Sequence, residues 1–142
     1  IHAATYRLLV LIREFDEREG WGGPGMKPGL RKNLLGRRNV LLTHPKSRDV
    51  PCVLSRTIKV PAGKKSTLRF AVNHHAQGNW TLIVRIDGEQ VLEESIDDSG
   101  WQDFSFDLSK HAGTTVDLEL ENRASGWSFE AAYWHQLELV EQ

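Results

Sequence analysis

The side chains able to do chemistry cluster in type and in place: His44, Arg48, His74, His75, Asn79, Trp80, Asp97, Asp98, Trp101, Arg123, Trp127 and Glu130. An indole face packs against the axial hydrogens of a pyranose ring. Planar polar groups such as Arg, Asp, Glu, Asn and His form paired hydrogen bonds with vicinal hydroxyls. In that reading Trp127 or Trp80 stacks a sugar, and Arg48, His74, His75, Asn79 and Glu130 bond it, with His44 on the same rim. The densest stretch is 122–134, which places two Trp, a Phe, a Tyr, an Arg and a Glu in one loop and the strand entry after it. Plain turns use Gly, Asn, Asp, Pro and Ser. A turn that also carries large rings either lids a core or presents a surface.

Metal binding and hydrolysis are the competing chemistries. Asp97 and Asp98 are the obvious oxygens for a structural calcium. His44, His74 and His75 could converge on zinc, but neighbours on a strand point to opposite faces, which makes His74 and His75 poor co-ligands. No Cys or His pair has zinc-finger spacing. A glycosidase needs two carboxylates across a cleft, and Glu130 with Asp97 or Asp98 is the pair on offer. The chain has little mass left to build a deep cleft. No nucleophile-elbow motif supports a serine triad.

Those residues must be held by a scaffold, and the totals bound it. The 142 residues suit one domain with an appendage, large enough for a substantial core. Eighteen basic against nineteen acidic residues give no field that would draw nucleic acid or an anionic membrane. The single cysteine, Cys52, excludes an internal disulfide and reads as a small buried hydrophobe. The longest apolar run is far too short for a membrane span, so no membrane insertion is expected. The chain opens on Ile1, as a piece of a longer protein would.

Residues 1–19 read as a short N-terminal helix, with Leu8, Leu11, Ile12 and Phe15 at helical spacing and a strand over 7–13 as the alternative. Residues 20–38 read as an irregular Gly/Pro-rich loop carrying Lys27, Arg31, Lys32, Arg37 and Arg38. The expected division is therefore 1–38, a linker or cap, and 39–142, a β-sandwich. From residue 39 apolar residues alternate with polar ones, and eight strands are predicted: 39–43, 52–60, 66–73, 80–86, 89–96, 102–107, 114–122 and 132–140. Clean alternation at this spacing means an antiparallel sandwich. Asp87-Gly88 marks a two-residue hairpin. Arg56 breaks the pattern by sharing a face with Leu54 and Ile58, which calls for a bulge or a buried ion pair.

Successive antiparallel strands reverse direction, so alternate connections share an end of the domain. One end receives 61–65, 87–88 and 108–113, which are ordinary turns. The other receives 44–51, 74–79, 97–101 and 123–131, and with them the chemically varied residues above. Binding groups sit preferentially on loops carried by a rigid scaffold, so any site belongs at this varied end.

Several stretches carry a family resemblance: 40–45 (Val-Leu-Leu-Thr-His-Pro), 55–64 (Ser-Arg-Thr-Ile-Lys-Val-Pro-Ala-Gly-Lys), 78–82 (Gly-Asn-Trp-Thr-Leu), 101–109 (Trp-Gln-Asp-Phe-Ser-Phe-Asp-Leu-Ser) and 126–134. With them the chain from about residue 39 onward resembles the galactose-binding-like jelly roll, the eight-stranded sandwich of many carbohydrate-binding modules. It is similar to accessory domains of large exported bacterial proteins. The resemblance implies an all-β jelly-roll β-sandwich and a non-catalytic module for glycans, often with a structural calcium. It implies an extracytoplasmic or secreted parent, with a glycan or neighbouring domains as partners. A structural or protein-interaction domain and a small glycoside hydrolase are the alternatives, because one fold serves many functions.

Overall fold

The computed structural model describes residues 4–7 and 29–141, with side chains for 29–141. In chain order the strands are β1 (Ala4–Arg7), β2 (Gly29–Leu34), β3 (Arg37–Thr43), β4 (Cys52–Lys59), β5 (Ser66–His74), β6 (Trp80–Ile86), β7 (Glu89–Ile96), β8 (Gln102–Asp107), β9 (Thr115–Arg123) and β10 (Ala132–Glu141). A single short 3-10 turn, Ser109–His111, is the one helical element among the described residues. A six-stranded sheet runs β2-β3-β10-β5-β8 with β1 also on β10, and a four-stranded sheet runs β4-β9-β6-β7. Every pairing among the described residues is antiparallel.

The eight strands expected from period-two alternation are all present, and two more join them. Ala4–Arg7 is extended and pairs with Glu138 to Glu141 of β10, where a helix was expected. The rest of that expected helix, and the loop as far as residue 28, lie outside the described residues. Gly29–Leu34 is a strand rather than irregular loop, and it turns into β3 through Leu35 and Gly36, both at positive φ. The segment 29–38 is thus built into the sandwich.

Alternation sorts the faces. Leu68, Phe70 and Val72 from one sheet meet Leu82, Val84, Leu118 and Leu120 from the other in a continuous core. Trp80 and Trp134 touch across it, ring centroids 5.2 Å apart. Burying rings of this size contributes more than any other single contact to such a core. At the varied end of the core Asn122 donates to Thr43 Oγ1 at 3.1 Å and the Trp134 indole donates to the same oxygen at 2.9 Å. That shared acceptor ties β9 of one sheet to β3 and β10 of the other.

Arg56 meets neither of its two expected fates. The β4–β9 register runs unbroken past it, and the residue is exposed. β4 is an edge strand, so a long side chain on the inner face can run out past the rim and keep its charge in water.

Candidate functional site

The four varied loops meet at one end of the sandwich, and named contacts join them. His44 of the 44–51 loop meets the Trp127 indole edge-on, centroids 5.3 Å apart and planes at 77°. His75 stacks on Phe129 at 4.4 Å with the rings 18° from parallel. Ser125 donates to the Asn79 side-chain oxygen, joining the 74–79 and 123–131 loops. His74 Nε2 bonds the Asp98 carbonyl at 2.8 Å, bringing in the 97–101 loop.

The long loop is held from below. Glu130 is only 2 % exposed, and its Oε1 accepts the Gly126 N–H at 2.6 Å. Its Oε2 is buried without a hydrogen-bond partner. Phe129 takes positive φ, an uncommon backbone conformation for a bulky residue. Gly78 passes beneath it so closely that a Cβ there would collide with the Phe129 carbonyl and Cβ. The result is a loop whose middle, residues 125–129, is lifted into solvent while its foot is buried.

The residues named from sequence divide on this geometry. Trp127 is 43 % exposed and keeps ring surface for a ligand. Trp80 does not: it is fully buried, and its indole donates to the Asn73 carbonyl at 3.1 Å. It lies on the same face of β6 as Leu82 and Val84, so it is a core residue and has no ring face to offer a sugar. His44 is 7 % exposed and donates from Nδ1 to the Pro45 carbonyl at 2.7 Å, acting as a wall for Trp127 rather than an open ligand group. His74 is committed too, with carbonyl oxygens at both nitrogens: His75 at 2.7 Å from Nδ1 and Asp98 at 2.8 Å from Nε2. A neutral imidazole donates to one of them and an imidazolium to both. Glu130 is the loop's buried tether. His75 and Asn79 are half-buried at the rim and Arg48 is exposed on its loop.

Phe129, unnamed from sequence, is 42 % exposed beside Trp127, and Val50 is exposed on the neighbouring loop. The dense aromatic content of 122–134 was the available signal for Phe129, but nothing in the sequence says which ring of such a loop turns outward.

Asp97 and Asp98 are exposed, and among the described residues no three His, Cys, Asp or Glu side chains gather as a metal-holding group. Asp97 and Asp98 supply two carboxylates toward the six to eight oxygens that a calcium ion takes. Cys52 is buried, and burial pushes its thiol up to about 12, with a Thr43 hydrogen bond opposing the shift. That is the opposite of an activated nucleophile.

A second group of polar and aromatic side chains lies on the outer face of the six-stranded sheet. The Arg37 guanidinium sits over the Trp101 ring at 4.8 Å from its centroid and approaches His135 Nδ1 at 3.2 Å. The Trp101 indole donates to the Leu35 carbonyl at 3.1 Å, and its ring centroid is 5.7 Å from that of His135. Beside them Val40, Leu42, Ala131 and Tyr133 form a small apolar cluster. On the outer face of the other sheet, Glu121 pairs with Arg85 at 2.8 Å and Arg123 at 2.7 Å.

No protein-family model matches the chain, and no curated protein matches it. Solved structures do. The CBM22-1 xylan-binding domain of Xyn10C from Paenibacillus barcinonensis is 18% identical, with a TM-score of 0.54 over 96% of this chain and 91% of that one. A structure described as CBM4 structure and function is 11% identical, with a TM-score of 0.52 over 99% of this chain and 86% of that one. A cyclase from Fischerella sp. is 13% identical, with a TM-score of 0.54 over 87% of this chain and 72% of that one. The chain therefore has the jelly-roll sandwich fold that these structures share. At such identities the likeness is one of fold, and the cyclase shows an enzyme with a similar one. Among the described residues no helix is long and apolar enough to cross a membrane.

Proposed function

We propose that this domain is a non-catalytic carbohydrate-binding module, an accessory part of a larger exported protein, with its sugar at the loop end of the sandwich. The observation that carries the reading is Trp127: a large ring, 43 % exposed, held edge-on by the buried His44 and lifted on a loop whose foot is anchored by Glu130. Rigid exposed rings of this kind supply contact area at small entropic loss. Phe129 and His75 add a second, stacked platform. The Gln77 backbone N–H donates to His75 Nδ1 at 3.1 Å, so the neutral ring carries its proton on Nε2, which can meet a hydroxyl. Asn79 and Arg48 complete the polar edge.

A hydrolase fits less well. Glu130 is only 2 % exposed and turned to a backbone N–H beneath the loop, a poor position for a catalytic acid or base. A protein-contact surface is the second reading, favoured by Val50, Trp127 and Phe129 being exposed at the same end. Titration with a panel of soluble glycans, followed by Trp fluorescence in wild type and Trp127→Ala, separates them. Saturable quenching by a glycan, lost in the variant, supports the module. Silence across the panel overturns it and favours the protein-contact surface.

A further inference from the structure

We propose that the β2–β3 hairpin is a pH-sensitive latch on the outer face of the six-stranded sheet: protonation of His135 breaks its hold on Arg37 and frees the ring face of Trp101. The inference does not depend on what the loop end binds. β3 pairs with β10 only from Leu41 to Thr43; below that the hairpin leaves the β10 ladder. Its tip is pinned instead by side chains of β8's entry and of β10. The Leu35 carbonyl takes the Trp101 indole proton, and Arg37 lies over the same ring. Both tip residues are at positive φ, and Leu35 pays a steric penalty there that Gly36 does not. Among the described residues the tip is therefore a strained turn kept in place by these polar contacts and by the packing of the adjacent Leu34 on the apolar cluster of that face.

His135 is the titrating member of those contacts. A guanidinium is always charged and only donates, so Nδ1 of His135 must accept, and the ring is neutral in the latched state. A proton on Nδ1 removes the acceptor and sets two cations 3.2 Å apart. Among the described residues the charged groups around the ring are Arg37 from β3, Asp103 from β8 and Glu138 from its own strand, the last engaged by Arg69 of β5 at 3.2 Å. Arg31 of β2 acts on the neighbouring Tyr133. Burial first and Arg37 second lower the His135 pKa, against Glu138 and Asp103, so latching favours the neutral ring. By linkage, protonation must then favour unlatching to the same degree.

The test is an NMR titration of the intact chain from about pH 8 to about pH 5, the interval in which imidazoles titrate. The His135 ring, the Trp101 indole N–H and the exchange of hairpin amides relative to their intrinsic rates are followed together. The expected result is a His135 transition below 6.5, its ordinary value, with a several-fold loss of hairpin and indole protection through the same transition. Arg37→Gln moves the His135 transition upward, and His135→Gln, which keeps an acceptor but cannot titrate, leaves the hairpin insensitive to pH. Hairpin protection that stays flat through the His135 transition overturns the latch, and so does a His135 transition that Arg37→Gln fails to move. If either variant does not fold, the wild-type titration alone decides.

Discussion

His44 and Trp127 meet edge to face at 5.3 Å, a buried imidazole supporting a half-exposed indole from the far side of the loop end. The contact separates two tryptophans that look alike in sequence. Trp127→Ala removes an exposed ring and leaves stability within about 1 kcal/mol, while glycan-dependent quenching is lost. Trp80→Ala empties a core position and lowers stability by about 3–5 kcal/mol. Urea melts read beside the titrations check both. A Trp127→Ala protein as unstable as Trp80→Ala would return that ring to the core.

Gly78→Ala tests the close passage beneath Phe129. The added methyl must displace the Phe129 backbone, so the loop shifts, with a loss of about 1–3 kcal/mol from overpacking. Ligand response should fall with it even though Gly78 has no side chain to touch a ligand. Unchanged binding in this variant would show that the position of the 123–131 loop is irrelevant to recognition.

Glu130→Ala should act from underneath. It strips the Gly126 N–H of its acceptor and opens space below the loop, and removal of a buried hydrogen-bond acceptor costs about 1–3 kcal/mol. Glu130→Gln keeps an oxygen for that N–H and should recover most of the loss. The comparison is made by thermal melts and by hydrogen exchange at Gly126, whose protection should fall in the Ala variant and persist in the Gln variant.

Cys52 gives a prediction at alkaline pH. Its folded pKa of about 12 lies above the ordinary 9.0, so the folded state holds the thiol proton more tightly than the unfolded chain does. The stability this contributes is complete below about pH 9 and is lost as pH rises from there toward about 12. Cys52→Ala should flatten that alkaline decline in urea midpoints. Thiol labelling at pH 8 should track global unfolding, and rapid labelling of the folded chain would contradict the burial.

Chelation offers the last check. With no metal-holding group of side chains found around Asp97 and Asp98 among the described residues, melting with excess EDTA should match melting with added calcium to within a degree or two. A calcium-dependent rise in Tm would mean that backbone carbonyls build a cage the side chains do not reveal.

Period-two alternation made much of the scaffold legible. The spans of β6, β7 and β8 coincide with those expected, and Asp87-Gly88 turns with both residues at positive φ, as a two-residue hairpin needs. Strand direction also placed the four varied loops together. β2 stayed hidden because Gly29 and the surrounding prolines suggested disruption, and because its turn uses a leucine, Leu35, at positive φ where sequence rules look for Asn or Asp. Individual site residues were less legible still. Trp80 follows Gly78-Asn79 and Trp127 stands between Gly126 and Ser128, and only packing tells a core ring from a surface one. His74 lost its availability to the Asp98 carbonyl, a partner 24 positions away that no local pattern announces. The Arg37–Trp101–His135 group escaped notice for the same reason, since its members come from three separate stretches of chain.

The pairing of Ala4 with Glu141 puts the start of the first strand and the end of the last on a single rung of one ladder. Tension drawn through those two residues would act across the ladder, opening it rung by rung like a zipper instead of shearing all its bonds at once. A sandwich hung in that way yields its outer strand at low force and leaves the loop end, at the opposite pole, undisturbed.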